Sequence, residues 1–475
     1  MSACGGTDRQ ELLALRRGTF SVGLDNGNGC HLVAGHHAES FPELSRGEAE
    51  VLHRLAKKFL PVEDVRRLCA EHDAVDRGHR TTRFLDRLRN GGWLKVGVSH
   101  EDSMQYALEP LRPPPPRREP QDDLVLSRFA MIHRDGDEML LESPLAWCDV
   151  RLFDPVAVGL MASVATQKGS PLDGADEVRR SLLSDLWWSG ILVERDGSET
   201  SVLSSRQWSP HELWFHEHSR GGHRAYANHG FGGTRWADGT FDPLPARHET
   251  PFAGPRIALA QADLYALSTT DPTLTTVIEE RSSIREHDDG SPLTLEELGQ
   301  FLYRSARTRG AATHEGVEYK NRPYPSGGSA YELEIYPVVR HVAGLEPGMY
   351  HYDAEDHELV LVTSDGPETR RVLRRARMSS RQATVPQVVL VISARFGRLM
   401  WNYEAMAYAL VLKHVGVLYQ TMYLVATAMG LAACGLGSGD NVHFGAATGI
   451  DAMVEDNVGE FMLGRPRVTP ARAAQ

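Results

Sequence analysis

The chain has little cysteine: five residues in 475, at Cys4, Cys30, Cys69, Cys148 and Cys434, with no CxxC pair. Thiols so scattered exclude a disulfide scaffold and a paired-cysteine centre, and they fit a reducing cytoplasm. Excess positive charge is also lacking, with 63 acidic against 51 basic side chains and a formal net charge of -12. That balance argues against broad binding to nucleic acid or anionic membrane. The N-terminus "MSACGGTDRQELLALRRGTF" has no basic segment followed by an apolar one, so no secretory signal is expected. The most apolar run, "VGVLYQTMYLVATAMGLAACGLG" from Val415, is long enough for a membrane span, but Lys413 and His414 precede it and Gln420 interrupts it. A buried helix is the expectation. A dinucleotide fingerprint is missing too, because the Gly-rich stretch around Gly430, Gly435, Gly437 and Gly439 closes a helix where the fingerprint would open one.

A chain of this length exceeds what one hydrophobic core usually serves, so several domains are expected. Two segments of the N-terminal half resemble each other: "FLDRLRNGGWLKV" from Phe84 and "LLSDLWWSGILVE" from Leu182, with Gly92 matching Gly190. Each reads as an apolar-faced helix stopped by glycine and followed by a strand, and each is preceded by a second helical pattern and a hairpin pattern. The repeat predicts two winged-helix-like domains, residues 1–110 and 121–200, separated by a stiff Pro-rich linker at 111–120, "LRPPPPRREP". The mixed charges of Asp86, Arg87 and Arg89 do not suit phosphate backbones. Residues 201–268 read as an irregular connecting segment rich in histidine (His211, His216, His218, His223, His229) whose spacing fits no common zinc site, so no metal is expected.

The chemistry-bearing half spans residues 269–475. Arg281, Ser283 and Arg285 gather two guanidinium groups and a hydroxyl at a helix end, a combination suited to a phosphate. Pro325, Ser326, Gly327 and Gly328 break regular structure before the strand-like "YELEIYPVV", leaving backbone N–H groups to face a flat ligand. The strand "QVVLVISARF" then leads into a long helix expected from Trp401 to Met429. After it come Gly435 and Gly437, and "FMLGRP" offers Arg465 as a further cation.

Taken in order, "WSPHELWFHEHSR", "DPTLTTVIEERSSIREH", "RPYPSGGSAYELEIYPVV", "GLEPGMYHYD", "VVLVISARF", the long helix and "LGRP" resemble the FMN-dependent nitroreductase-like flavoproteins, and within them the SagB-type azoline oxidases. The resemblance implies an α+β fold with an FMN domain at 269–475, preceded by leader-recognition-like domains. It assigns Arg281, Ser283, Arg285 and Arg465 to the phosphate end of FMN, Pro325, Ser326 and Gly327 to its ring edge, Gly435 and Gly437 to backbone contacts, and Gln420 to a contact across a homodimer interface. It implies oxidation of peptide thiazolines or oxazolines, with Lys320 and Tyr324 as catalytic candidates and Tyr319 in reserve. The partners it implies are a precursor peptide and a cyclodehydratase complex. Two other readings stay open: an NAD(P)H-dependent nitro or quinone reductase, and a flavin-free docking subunit for the leader peptide.

Overall fold

The structure is a computed structural model that describes residues 9–24, 29–35, 37–72, 77–117, 119, 123–166, 177–195, 197–221, 232–249, 252–381 and 385–467. The chain divides into two compact units, Met1–Phe231 and Gly232–Gln475.

In the first unit the sequence repeat is a structural one. The helices Arg77–Asn90 and Glu177–Ser189 end in the same way, with Gly92 and Gly190 at φ +72° and +86°. Trp93 N–H reaches back to Leu88 O and Ile191 N–H to Leu186 O, the five-residue closure of a Schellman motif, which needs a left-handed residue and so selects glycine. Two cores form, one around Leu13, Val65, Leu88 and Trp93, the other around Val150, Leu183 and Leu186, into which Tyr106 and Leu108 of the strand Ser103–Pro110 also pack.

The repeats do not close into separate sheets. Strand Ser103–Pro110 of the first pairs with Cys148–Leu152 of the second, Tyr106 opposite Leu152 and Pro110 opposite Cys148, so one seven-stranded sheet runs through both. The Pro-rich stretch is not a free spacer either. Trp188 Nε1 donates to Pro115 O at 2.9 Å, while Arg117 pairs with Asp185 at 2.6 Å and lies 4.9 Å above the Trp188 ring. Indole faces hold such a run well because an extended proline backbone loses little entropy on docking. Among the expected histidines, His211, His216 and His218 lie on the helix Pro210–His218, whereas His223 and His229 fall outside the described residues, as does most of the first hairpin turn.

The segment expected to be a connector is split between the units. Its later part belongs to the second: Arg256–Ala258 pairs with Glu358–Ser364, and Gly232–Gly233 with Tyr403–Glu404. The second unit is built on a seven-stranded antiparallel sheet, whose order is Arg256–Ala258, Glu358–Ser364, Gly348–Asp353, Leu333–Val339, Val388–Arg395, Glu455–Gly464 and Ala432–Leu436. Its interior strand Val388–Arg395 is buried at every position. Alternation explains how: Val388, Leu390 and Ile392 join the core shared with helices Leu295–Ala306 and Ala407–Ala428, while Val389 and Val391 join the core under Pro367–Ser380 and Asn441–Thr448.

The long helix starts at Ala407, not Trp401, because a short helix Phe396–Met400 and the bridge strand Tyr403–Glu404 come first. By length and composition it is the one helix among the described residues apolar enough to cross a membrane. Its Val411, Val415, Leu418, Met422 and Ala426 are nevertheless buried at three- and four-residue spacing in the core of this unit, as the sequence led one to expect of a buried helix.

Candidate functional site

The predicted site residues fall into two clusters within the second unit. The first forms where the helix Leu274–Glu280 ends. Arg281 closes that helix with extended backbone, and the segment after it runs beside the last-numbered strands: Ile284 N–H donates to Ala433 O at 2.9 Å, and His287 bridges to Pro466. This brings Arg281, Ser283, Arg285, Gly435 and Arg465 into one neighbourhood. Tyr423 is its hub. Its hydroxyl lies 2.9 Å from Ser283 Oγ and accepts the Gly435 N–H at 2.8 Å, while the Arg281 guanidinium lies 5.3 Å from its ring centre. The sequence reading missed Tyr423, one of several hydroxyls on this helix with Tyr419, Thr421 and Thr427, none of which the pattern singles out.

The charges of this cluster are mostly left available. No carboxylate among the described residues pairs with Arg281 or Arg285, and the Arg285 side chain is exposed. Arg465 differs, since Glu297 Oε1 takes one of its terminal nitrogens at 2.6 Å, yet its buried Nε has no partner. One expectation needs correction. Gly435 lies in the strand Ala432–Leu436 rather than in an open loop, and its N–H is already given to Tyr423. Gln420 is exposed on the helix, and Gly437 is exposed with open space around it.

The second cluster surrounds the Pro-Ser-Gly-Gly turn. Pro325 is exposed, and Gly327–Ser329 form a single 3-10 turn in which Gly328, Ser329 and then Tyr331 adopt φ of 59°, 52° and 47°. Left-handed backbone at serine and tyrosine is uncommon and must be held by its surroundings. Here Tyr331 N–H donates to Ser326 Oγ at 3.1 Å, and the Tyr403 hydroxyl sits 2.8 Å from where a Gly328 Cβ would be. The Gly327 N–H, expected to be free for a ligand, donates instead to His414 Nε2 at 2.8 Å.

Lys320 and Tyr324 flank this turn from the inside. Lys320, on strand Val317–Asn321, is buried and ion-paired with Glu355. Burial, and then the neighbouring Arg322 charge, lower the proton affinity of its amine. Tyr324 is buried as well, with Arg322 Nη1 at 3.5 Å from its hydroxyl, and burial pushes its phenol up. Arg322 is the element missed by sequence reading: fully enclosed, it donates to Leu333 O at 2.8 Å and faces Glu334 at 3.9 Å. Glu334 is in turn approached by His351 at 3.4 Å and Arg395 at 3.7 Å, and the hydrogen bond from His351 together with the Arg322 charge holds its carboxyl below the usual range despite burial. No hydrogen bond or ion pair among the described residues joins this cluster to the first.

Comparison with known proteins bears on both units. The nitroreductase family profile matches residues 278–465, which contain every candidate site residue, and the profile of the cyanobactin oxidase ThcOx matches residues 124–225. A protein of Methanocaldococcus jannaschii described as a nitroreductase is 33% identical over 162 residues, covering 34% of this chain and 77% of that one. The chain belongs to the nitroreductase family. This nitroreductase-family chain is also 26% identical over 132 residues to the trifolitoxin-processing protein of Rhizobium leguminosarum bv. trifolii, covering 27% of the chain and 35% of that relative. Among solved structures, the E. coli microcin synthetase complex is similar at 20% identity and a TM-score of 0.35, covering 40% of this chain and 70% of that one. Other similar solved chains are recorded in complex with FMN.

Proposed function

We propose that this nitroreductase-family oxidoreductase binds FMN and oxidises thiazoline or oxazoline rings in a ribosomally made precursor peptide to thiazoles or oxazoles. The observation that carries the reading is the pairing, in one chain, of a cyanobactin-oxidase match at 124–225 with a nitroreductase match at 278–465. The similarity to a trifolitoxin-processing protein points the same way.

The donor set fits the proposed flavin. Two guanidinium groups without carboxylate partners and the Ser283 hydroxyl suit a phosphate, and the small-residue turn at 326–328 suits a flat ring. We place the two clusters on opposite sides of one FMN, contributed by two protomers of a homodimer. In support, the long helix exposes Leu412 and Gln420, and Tyr265 and Met453 are 87% and 86% exposed, which a partner would cover. Bound FMN supplies the two-electron acceptor that aromatisation of the ring requires, with oxygen as the final oxidant. The protein must take the accompanying proton. Of the two candidates Lys320 is assigned the base, because burial lowers the proton affinity of its amine towards that of a working base, whereas the raised Tyr324 phenol stays protonated and acts as a hydrogen-bond donor.

The first unit is assigned to the leader peptide, which would raise the effective concentration of the core at the flavin. Strand Met131–Asp135 lies at a sheet edge, and its Met131, His133 and Asp135 line a cavity of about 560 Å³ together with Trp214 and Phe215. An extended peptide added to that edge would send alternate side chains into this space. A cytoplasmic location and a complex with a cyclodehydratase complete the proposal. Mass spectrometry of an azoline-containing precursor incubated with the chain tests it: each oxidised ring should lose about two mass units. The Methanocaldococcus relative favours a second reading, an NAD(P)H-dependent reductase. Rapid flavin bleaching by NAD(P)H with no change in the peptide mass would select it.

A further inference from the structure

One buried pair lies behind the Pro-Ser-Gly-Gly turn and has no part in the chemistry above. Glu332 has no exposed surface and His414 has 6%, yet the two side chains come from a strand margin and a helix 82 residues apart. His414 Nδ1 lies 2.7 Å from Glu332 Oε1, and its Nε2 lies 2.8 Å from the Gly327 nitrogen. A backbone N–H can only donate, so Nε2 must accept; the ring proton therefore sits on Nδ1 and is given to the carboxylate. The other carboxylate oxygen of Glu332 faces Ser326 Oγ at 3.4 Å. One buried carboxylate thus holds both neighbours of the Ser326–Gly327 peptide, one directly and one through an imidazole.

The surroundings leave no substitute for this arrangement. A Cβ on Gly327 would come within 3.3 Å of His414 Nε2, so a side chain here would push the ring by a few tenths of an ångström off its hydrogen bond. The backbone around Glu332 is itself anchored, since Arg395 N–H donates to Glu332 O at 2.9 Å and Arg398 Nη2 to Ala330 O at 2.9 Å. Downstream, Ser329 and Tyr331 hold left-handed backbone that relaxes unless the turn is pinned from the first residue onward.

We propose that Glu332 and His414 are positioning residues that aim the turn at the flavin: by taking the Gly327 N–H inward, they turn the opposite edge of that turn to the ring. The proposal rests on the flavin reading of the turn. Its test uses the full chain with FMN as the probe and reads two quantities, hydrogen exchange of the Gly327 amide in the apoprotein and FMN affinity. His414→Phe keeps the ring and removes both nitrogens, and Glu332→Ala removes the carboxylate. Each should speed Gly327 exchange and weaken FMN binding, both about tenfold, the size of one lost hydrogen bond. His414→Gln keeps an acceptor at the Nε2 position and Glu332→Gln an acceptor for Nδ1–H, so both should return towards wild type, which a purely packing role does not predict. Unchanged exchange in His414→Phe overturns the proposal alone, as does faster exchange with unaltered FMN affinity. A wild-type chain that takes up no FMN overturns the flavin reading and the proposal together.

Discussion

The two site clusters treat charge in opposite ways. Around Tyr423 the guanidinium groups of Arg281 and Arg285 stand near the surface with no carboxylate partner among the described residues. Around the Pro-Ser-Gly-Gly turn the cations are buried and paired with carboxylates, Lys320 with Glu355 and Arg322 and Arg395 with Glu334, while the neutral His414 gives its Nδ1–H to Glu332. A cluster built to receive a charged ligand keeps its donors free, because each internal partner would have to be displaced first. A cluster built to hold geometry pairs its charges, because an unanswered buried charge is costly.

The contrast can be broken from either side. The double substitution Arg281→Ala with Arg285→Ala should weaken FMN binding most, by about a hundredfold or more, since each charge-assisted contact contributes about 1.5–3 kcal/mol. The melting temperature of the apoprotein should barely change, and flavin fluorescence titration beside calorimetry checks both halves. At the enclosed cluster the opposite outcome is expected. Glu355→Ala strands the Lys320 ammonium in a buried site and should cost about 3 kcal/mol of stability, read by denaturant unfolding.

Glu460 sharpens the rule, because it is a buried acid to which no cation among the described residues is bonded. Its carboxylate accepts from Asp440 N–H and Asn457 Nδ2, both at 3.0 Å, and burial raises it to about 7. A folded-state value above the unfolded one means the native protein binds the proton more tightly. The resulting stability is fully present below the unfolded value of 4.5 and is lost as pH rises to about 7. Glu460→Gln should therefore gain up to about 3 kcal/mol over wild type at pH 8 and little at pH 4. His287 acts in the opposite sense: burial lowers it to about 4, so its contribution falls as pH drops from 6.5 towards that value. The smallest effect belongs to Tyr423→Phe, which leaves the Gly435 N–H without its acceptor. It should cost about 1–2 kcal/mol in stability, visible as a modest shift in the melting curve.

Much of this was legible in the residues. The repeat in the first unit rested on Gly92 and Gly190, and left-handed helix closure is a local demand that glycine answers almost alone. The capping box at Thr294 and Glu297 is local in the same way. What escaped were partners drawn from afar. The Pro-rich run reads as a spacer until the tryptophans some seventy positions later are seen to hold it. Nothing near Lys320 in the sequence announces that Glu355, 35 positions on, folds over it.

The sequence by itself determined which chemical groups this chain has and where its backbone must bend: the Arg281, Ser283, Arg285 triplet, the glycines of the turn and the helix stops. Such features follow from side-chain type and from φ and ψ within a few residues. Only the tertiary structure decided which of those groups remain free. Gly327 and Gly435 have N–H groups that their own neighbourhoods leave open, and each is claimed by a side chain of one helix, His414 from 87 residues away and Tyr423 from 12. Hydrogen-bonding capacity belongs to a residue; whether it has been spent depends on what the fold brings within 3 Å of it.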